Sequence, residues 1–270
     1  MTLGIAMVTP WGLGRKIQPH LPMEVRSPGG IAMAIDSRYS AGQPSRKVRD
    51  DGAKMWFPAP GIIAILAGCV DVAELGLERA TKELRANPIY EAEPVAALVA
   101  GAFKAAIPHH WRKGQYTCHI VVGVAGPTGD AYLVRLESEK DFRPQIGIED
   151  QVIGDERLVP RFWADLRSKS KLAFDDLEIG QAEGLDIVID PGSLATTLGA
   201  AVKLVSETSR GTAGGPVQLA YAIGGTTHGA GLYRADESMR FEEVTASRID
   251  VRGTGGRGRE RLRRFPSDDA

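Results

Sequence analysis

Short apolar runs separated by glycine- and proline-bearing breaks constrain this chain more than any other feature. Residues 2–8 (TLGIAMV), 30–36 (GIAMAID) and 61–67 (GIIAILA) are apolar runs of seven residues, too short for buried helices of ordinary length. With further runs at 117–124, 130–136, 217–223 and 231–234, they read as buried strands. Gly126-Pro127-Thr128-Gly129 between two of them reads as a hairpin turn. Residues 71–87 place Val72, Leu75, Ala80 and Leu84 near one helical face, and residues 91–107 do the same with Val95, Leu98, Val99, Ala102, Phe103 and Ala106. Further helices are expected at 156–166 and from Pro191 to Thr208, the latter with Asp190 as N-cap. The order is strands, two helices, strands, helices, strands, which predicts an α+β fold of sheet packed on sheet with helices outside.

Two segments stand apart. Residues 9–29 carry Pro10, Pro19, Pro22 and Pro28 and read as an irregular inserted loop. Residues 251–270 carry six arginines among glycines with almost nothing apolar, and read as a basic disordered tail. The remainder, 1–250, is expected to be one domain. Several classes of function fall away. A net charge of −1 over 270 residues argues against a nucleic-acid binder, which needs a basic surface. No stretch approaches the ~20 apolar residues of a membrane span. Pro10, Gly12, Arg15 and Lys16 break the start of the chain as a signal peptide. Two cysteines, Cys69 and Cys118, make neither a disulfide framework nor a zinc site, so a reduced, cytoplasmic setting is expected.

Thr2 opens the chemistry. Methionine is generally trimmed before a small residue, which would leave a threonine carrying both a hydroxyl nucleophile and a free α-amine. Such an amine titrates near 7.7 to 8.0, a suitable base at neutral pH. If 2–8 and 30–36 pair as an antiparallel hairpin, one register sets Thr2 opposite Asp36 and Val8 opposite Gly30, bringing a carboxylate to the nucleophile.

The stretch Asp36-Ser37-Arg38-Tyr39-Ser40-Ala41-Gly42 resembles the D-x-R-x-[ST]-x-G motif of the proteasome β-subunit family, which includes the bacterial heat-shock peptidase ring and related bacterial proteasome homologues. The run Ile62 to Leu66, followed by Ala67-Gly68 and then Asp71, resembles the family's strand, A-G pair and acidic helix start. The family's lysine lies fourteen residues before that glycine, and here that residue is Lys54. Lys47, in Lys47-Val48-Arg49, is the competing assignment. The resemblance covers 2–8 and 30–235. It implies a four-layer αββα sandwich of N-terminal nucleophile hydrolase type. It also implies that Thr2 is nucleophile and, through its amine, base. Lys54 stabilises the alkoxide, Asp36 holds Lys54, the Gly68 N–H binds the oxyanion, and Arg38 braces the turn. It calls for no cofactor or metal.

The chain also departs from the family. Where the family has an Asp and a Ser before paired glycines, Arg210 and Ala213 stand before Gly214-Gly215. Gly154-Asp155-Glu156 stands where the family has G-S-G. Other features are read as structural: His109-His110 beside Trp111 as a helix end, Cys69 as a pocket-shaping residue, and Gly12-Leu13-Gly14-Arg15-Lys16 as no P-loop. The resemblance implies a threonine peptidase acting on peptide or protein substrate inside a homo-oligomeric ring, with an ATP-dependent unfoldase as partner. A catalytically silent ring subunit and an amidohydrolase acting on a small amide are the alternatives.

Overall fold

Strands that are apolar on both faces must be covered on both, and this dictates the architecture. A computed structural model describes residues 2–9, 29–41, 46–49, 52–107, 117–164, 191–209, 213–233 and 241–244. In chain order the strands are β1 (Leu3–Thr9), β2 (Gly30–Asp36), β3 (Tyr39–Ala41), β4 (Arg46–Arg49), β5 (Met55–Ala59), β6 (Ile62–Gly68), β7 (Cys118–Ala125), β8 (Ala131–Glu137), β9 (Gln145–Gly147), β10 (Gln151–Gly154), β11 (Val217–Ile223), β12 (Thr226–Tyr233) and β13 (Glu242–Glu243). The helices are α1 (Val70–Ala86), α2 (Ala92–Ala106) and α3 (Pro191–Glu207), with a further helical stretch at 159–164 that follows a 3-10 turn, Glu156–Leu158.

A first sheet has the order β10-β1-β2-β11-β12-β13 and a second β5-β6-β7-β8-β9, with every recorded pairing antiparallel; β3 and β4 form a separate ribbon. Alternation sorts the side chains. β1 sends Ala6 and Val8, and β2 sends Ile31, Met33 and Ile35, into a core shared with Ile63, Ile65 and Val121 of the second sheet. The opposite faces of the same strands, Leu3, Ile5, Met7, Ala32 and Ala34, pack against Leu194, Leu198 and Val202 of α3 and against Phe162. Ala64, Leu66, Ile120 and Val122 of the second sheet turn outward to Val72, Leu77, Val95, Val99 and Phe103 of α1 and α2.

The expected four-layer αββα sandwich of N-terminal nucleophile hydrolase type does not stand. The described residues are mostly β, two antiparallel sheets with few helices. That expectation came from the family resemblance, and the strand content exceeds what hydrophobic period alone reveals. β5 lies in a stretch left unassigned, β10 is four residues long, and β12 begins at Thr226 rather than at 231. The expected 156–166 helix likewise opens as a 3-10 turn. The N-terminal hairpin register also needs correction by one residue. Gly4 pairs with Ile35 and Thr9 with Gly30, so Thr2 is not opposite Asp36. A long connection leaves register to packing rather than to turn geometry, and Gly30 lies so close that a Cβ there would meet the Thr9 hydroxyl at 2.9 Å. Most of the 9–29 loop, Arg210, Asp190, the His109-His110 pair and the 251–270 tail lie outside the described residues.

Among the described residues no helix is long and apolar enough to cross a membrane. The two sheets approach closely over Gly123 on β7, where a Cβ would come within 2.5 Å of Met33 Cε and 2.7 Å of Ile31 Cδ1. Gly123→Val is therefore expected to destabilise the fold by about 1–3 kcal/mol through overpacking, read as a lowered denaturation midpoint. A wild-type midpoint would contradict this sheet-on-sheet contact.

Candidate active site

β1, β2 and the segment leading into β5 end together, and their polar residues meet there. Thr2 is 4% exposed, Asp36 0% and Lys54 1%, and Lys54 heads the largest fully buried side chains among the described residues, the next of which are phenylalanines. A buried ammonium needs an acceptor for each of its three N–H groups and a negative partner. Lys54 Nζ has both. It donates to Thr2 Oγ1 at 2.7 Å, to Asp36 Oδ1 at 3.2 Å in an ion pair, and to the Arg38 carbonyl.

The carboxylate is held as firmly. The observed register, continued by one residue, sets Asp36 opposite Leu3 on β1, and its Oδ1 accepts the Leu3 N–H at 2.8 Å. Its Oδ2 accepts the N–H groups of Gly214 at 2.9 Å and Arg38 at 3.2 Å. Arg38 closes the turn from the other side. Its N–H also reaches the Gly214 carbonyl and its guanidinium donates to the Ala213 carbonyl at 3.1 Å. Ser37 donates its hydroxyl to the Pro216 carbonyl at 2.6 Å. The Asp36-Ser37-Arg38 segment is thus tied to 213–216 by both backbone and side chains.

Gly68 ends β6, and the ladder fixes where its N–H points. Gly61 O accepts from Ala125 N and Thr117 O from Cys69 N, so the odd-numbered residues of β6 bond to β7. The even ones face β5, and Leu66 N donates to Lys54 O at 3.1 Å. Two residues on, Gly68 directs its N–H to the Lys54 side, past the start of β5. Its φ of +98° and a Cβ position blocked by the Thr117 carbonyl oxygen admit glycine alone.

Other expectations resolve as follows. Lys47 lies on β4, and its side chain is outside the described part. Ala213, where a serine was looked for, is buried and brings no hydroxyl; the Ser209 hydroxyl instead clasps the Ala213 backbone, accepting from its N–H at 2.9 Å and donating to its carbonyl at 2.8 Å. Gly154-Asp155 does come to Thr2, because the Asp155 N–H donates to the Thr2 carbonyl at 2.7 Å. The Asp155 carboxylate is engaged by Arg157 through Nε at 2.8 Å and Nη2 at 2.7 Å, and these bonds raise the guanidinium above its ordinary pKa. Cys69 is half-buried at the start of α1. Burial, with Cys69 and Glu139 nearby, pushes the Cys118 thiol well above its usual range, so it is no nucleophile at neutral pH. Among the described residues no three His, Cys, Asp or Glu side chains converge as a metal site would require.

The residue that sequence reasoning missed is Gln218. It is fully buried on β11 and hydrogen-bonded to the backbone at Gly52, Lys54 and Met55. Its signal was a lone amide within the apolar run Val217 to Ile223, two residues before the core-facing Ala220. No protein-family model matches the chain, and no curated protein matches it.

Removing one partner of a buried ion pair leaves an uncompensated charge, at a cost of about 3–5 kcal/mol. Lys54→Met and Asp36→Asn are each expected to destabilise the fold on that scale, while the double variant costs clearly less than their sum. Denaturant unfolding of the four proteins measures this coupling. Additive costs would contradict the ion pair.

Proposed function

We propose that the protein is a threonine peptidase that hydrolyses peptide bonds with Thr2 as nucleophile, once removal of what precedes Thr2 releases its α-amine. The observation that carries this reading is the Lys54 ammonium donating to Thr2 Oγ1 at 2.7 Å in a buried pair with Asp36. A lysine in this setting, with Thr2, Asp36 and Arg38 oxygens around it, is a proton donor and a positive charge, not a base. The proton on Thr2 Oγ1 must therefore leave to another group. A released Thr2 amine is adjacent by covalent structure and has a suitable pKa.

The steps follow from that assignment. The amine takes the Oγ1 proton while Oγ1 bonds to the substrate carbonyl carbon. Lys54 stabilises the developing alkoxide, and the Gly68 N–H is directed to the side where the carbonyl oxygen gains charge, a contribution of roughly 3–4 kcal/mol per donor in such sites. The protonated amine then gives its proton to the departing substrate nitrogen, leaving an ester on Thr2. Water, deprotonated by the same amine, cleaves the ester and restores the hydroxyl. In these steps the Thr2 amine alone carries the proton between Oγ1, the leaving nitrogen and water, so no transfer is assigned to a side chain at Ala213. The reading extends to a peptide or protein substrate, a cytoplasmic setting and a ring-shaped homo-oligomer served by an ATP-dependent unfoldase. Sedimentation only as a monomer at micromolar concentration would count against the ring.

Thr2→Ala should reduce turnover of peptide amides to background with folding unchanged. Lys54→Ala should lower kcat by about 10³-fold or more, since it removes charge stabilisation at the nucleophile, whereas Lys47→Ala should leave it nearly unaltered. Steady-state kinetics on the three variants decide. Wild-type turnover by Thr2→Ala would sink the assignment, and the opposite ranking of the two lysines would move the site.

A further inference from the structure

Gln218 occupies the inward-facing parity of β11 shared with Ala220 and Ala222, and none of its surface is exposed. A buried amide that finds no partners is costly, so its contacts show what it is there to hold. All three that it makes fall on one short piece of backbone, 52–55, at the entry to β5 of the opposite sheet. Its Oε1 accepts the N–H groups of Met55 at 3.0 Å and Lys54 at 3.2 Å, and its Nε2 donates to the Gly52 carbonyl at 2.7 Å. The chemistry fixes the amide's orientation, because two N–H groups require an oxygen and one carbonyl requires a donor. Among the described residues β5 is the edge strand of its sheet, with β6 its one neighbour there. No strand among them lies beyond it, and the N–H groups of Lys54 and Met55 find their acceptor in Gln218 from across the core.

The other side of the same residue is held too, since Lys54 O accepts the Leu66 N–H at 3.1 Å. The Lys54 backbone is thereby gripped between β6 and Gln218 while its side chain extends to Thr2 Oγ1 and Asp36. The far end of the β5–β6 hairpin provides a natural contrast. There the buried Thr227 on β12 accepts the Gly61 N–H at 2.8 Å. This is a similar tie between the sheets, but it is not attached to the lysine.

We infer that Gln218 is a positioning residue: a buried amide of one sheet that sets the backbone at Gly52, Lys54 and Met55 in the other, so that the Lys54 ammonium meets the Thr2 hydroxyl. The inference rests on the reading of Thr2 as nucleophile. A displacement of about 1 Å at a reacting group can cost about 10²-fold in rate, and that is the scale expected when the amide is lost.

The test compares wild type with Gln218→Met, Gln218→Asn and Thr227→Val, using hydrogen exchange read by mass spectrometry and hydrolysis of a panel of fluorogenic peptide amides. Gln218→Met should speed exchange across 52–57 and lower kcat by about 10²-fold with KM little changed, the pattern of an interaction lost in the transition state. Gln218→Asn, whose amide is one methylene short, should fall between it and wild type, and carries the test if the methionine variant does not fold. Thr227→Val should speed exchange at the β5–β6 turn yet keep kcat, because its tie does not touch the lysine. An active wild type whose Gln218 variants keep kcat, or whose Thr227→Val variant loses as much, would overturn this inference alone. A wild type inert toward every peptide would overturn the reading of Thr2, and this inference with it, even where exchange across 52–57 responds.

Discussion

A lysine 1% exposed, ringed by the oxygens of Thr2, Asp36 and Arg38, is the constraint around which the molecule is arranged. Taking an ammonium and a carboxylate out of water is expensive, and mutual attraction repays it only when hydrogen bonds also satisfy the remaining donors and acceptors. Asp36 meets that condition through the N–H groups of Leu3, Arg38 and Gly214, drawn from three separate parts of the chain. The ends of β1 and β2 and the approach to β11 therefore cannot move independently. A fold built only for stability would place apolar residues at such a position. The charged cluster is the feature on which the proposed activity rests.

The two sheets divide the labour. The first carries Thr2 and Asp36 beside and on its adjacent strands β1 and β2, and the second leads Lys54 in through β5 and presents Gly68 at the end of β6. The proposed chemistry at their junction depends on how the sheets are set against each other. The core of Ala6, Val8, Met33 and Ile35 against Ile63, Ile65 and Val121 supplies the adhesion. Apolar contact is non-directional and sets no register to a fraction of an ångström. Directional polar ties between the sheets, at Gln218 and Thr227, supply what it lacks.

Long periodic elements were readable from the sequence and short edge elements were not. α1 and α2 begin and end within one residue of the span their 3.6-residue pattern indicates, and β11 coincides with its apolar run. β5 escaped because Met55-Trp56-Phe57-Pro58-Ala59 has no alternation and contains a proline, which a sheet tolerates at its edge. The four expected helices all have counterparts, and what was underrated is the strand content at β5 and β10; the layered sandwich was expected from the family resemblance and not from these elements. In the site, the fourteen-residue interval from Lys54 to Gly68 was legible as spacing, and those residues do lie on the two sides of one β5–β6 pairing. The one-residue register shift between β1 and β2 was not legible, because nothing in a long connection encodes it. The observed register continues to set Asp36 opposite Leu3, whose N–H its carboxylate accepts, and the carboxylate still meets Lys54.

The central claim is that Thr2 reacts through its hydroxyl with its own amine free. A peptide electrophile carrying a ketone and an adjacent epoxide can bond a hydroxyl and a neighbouring amine at once, so one adduct reports both groups. The direct measurement is tandem mass spectrometry of the protein after reaction with it. The account predicts one adduct per chain, located on an N-terminal Thr2 and joined through both Oγ1 and the α-nitrogen. An adduct on Cys69, on either of Lys47 and Lys54, or on no residue at all while Thr2 stands as the free N-terminus would contradict it.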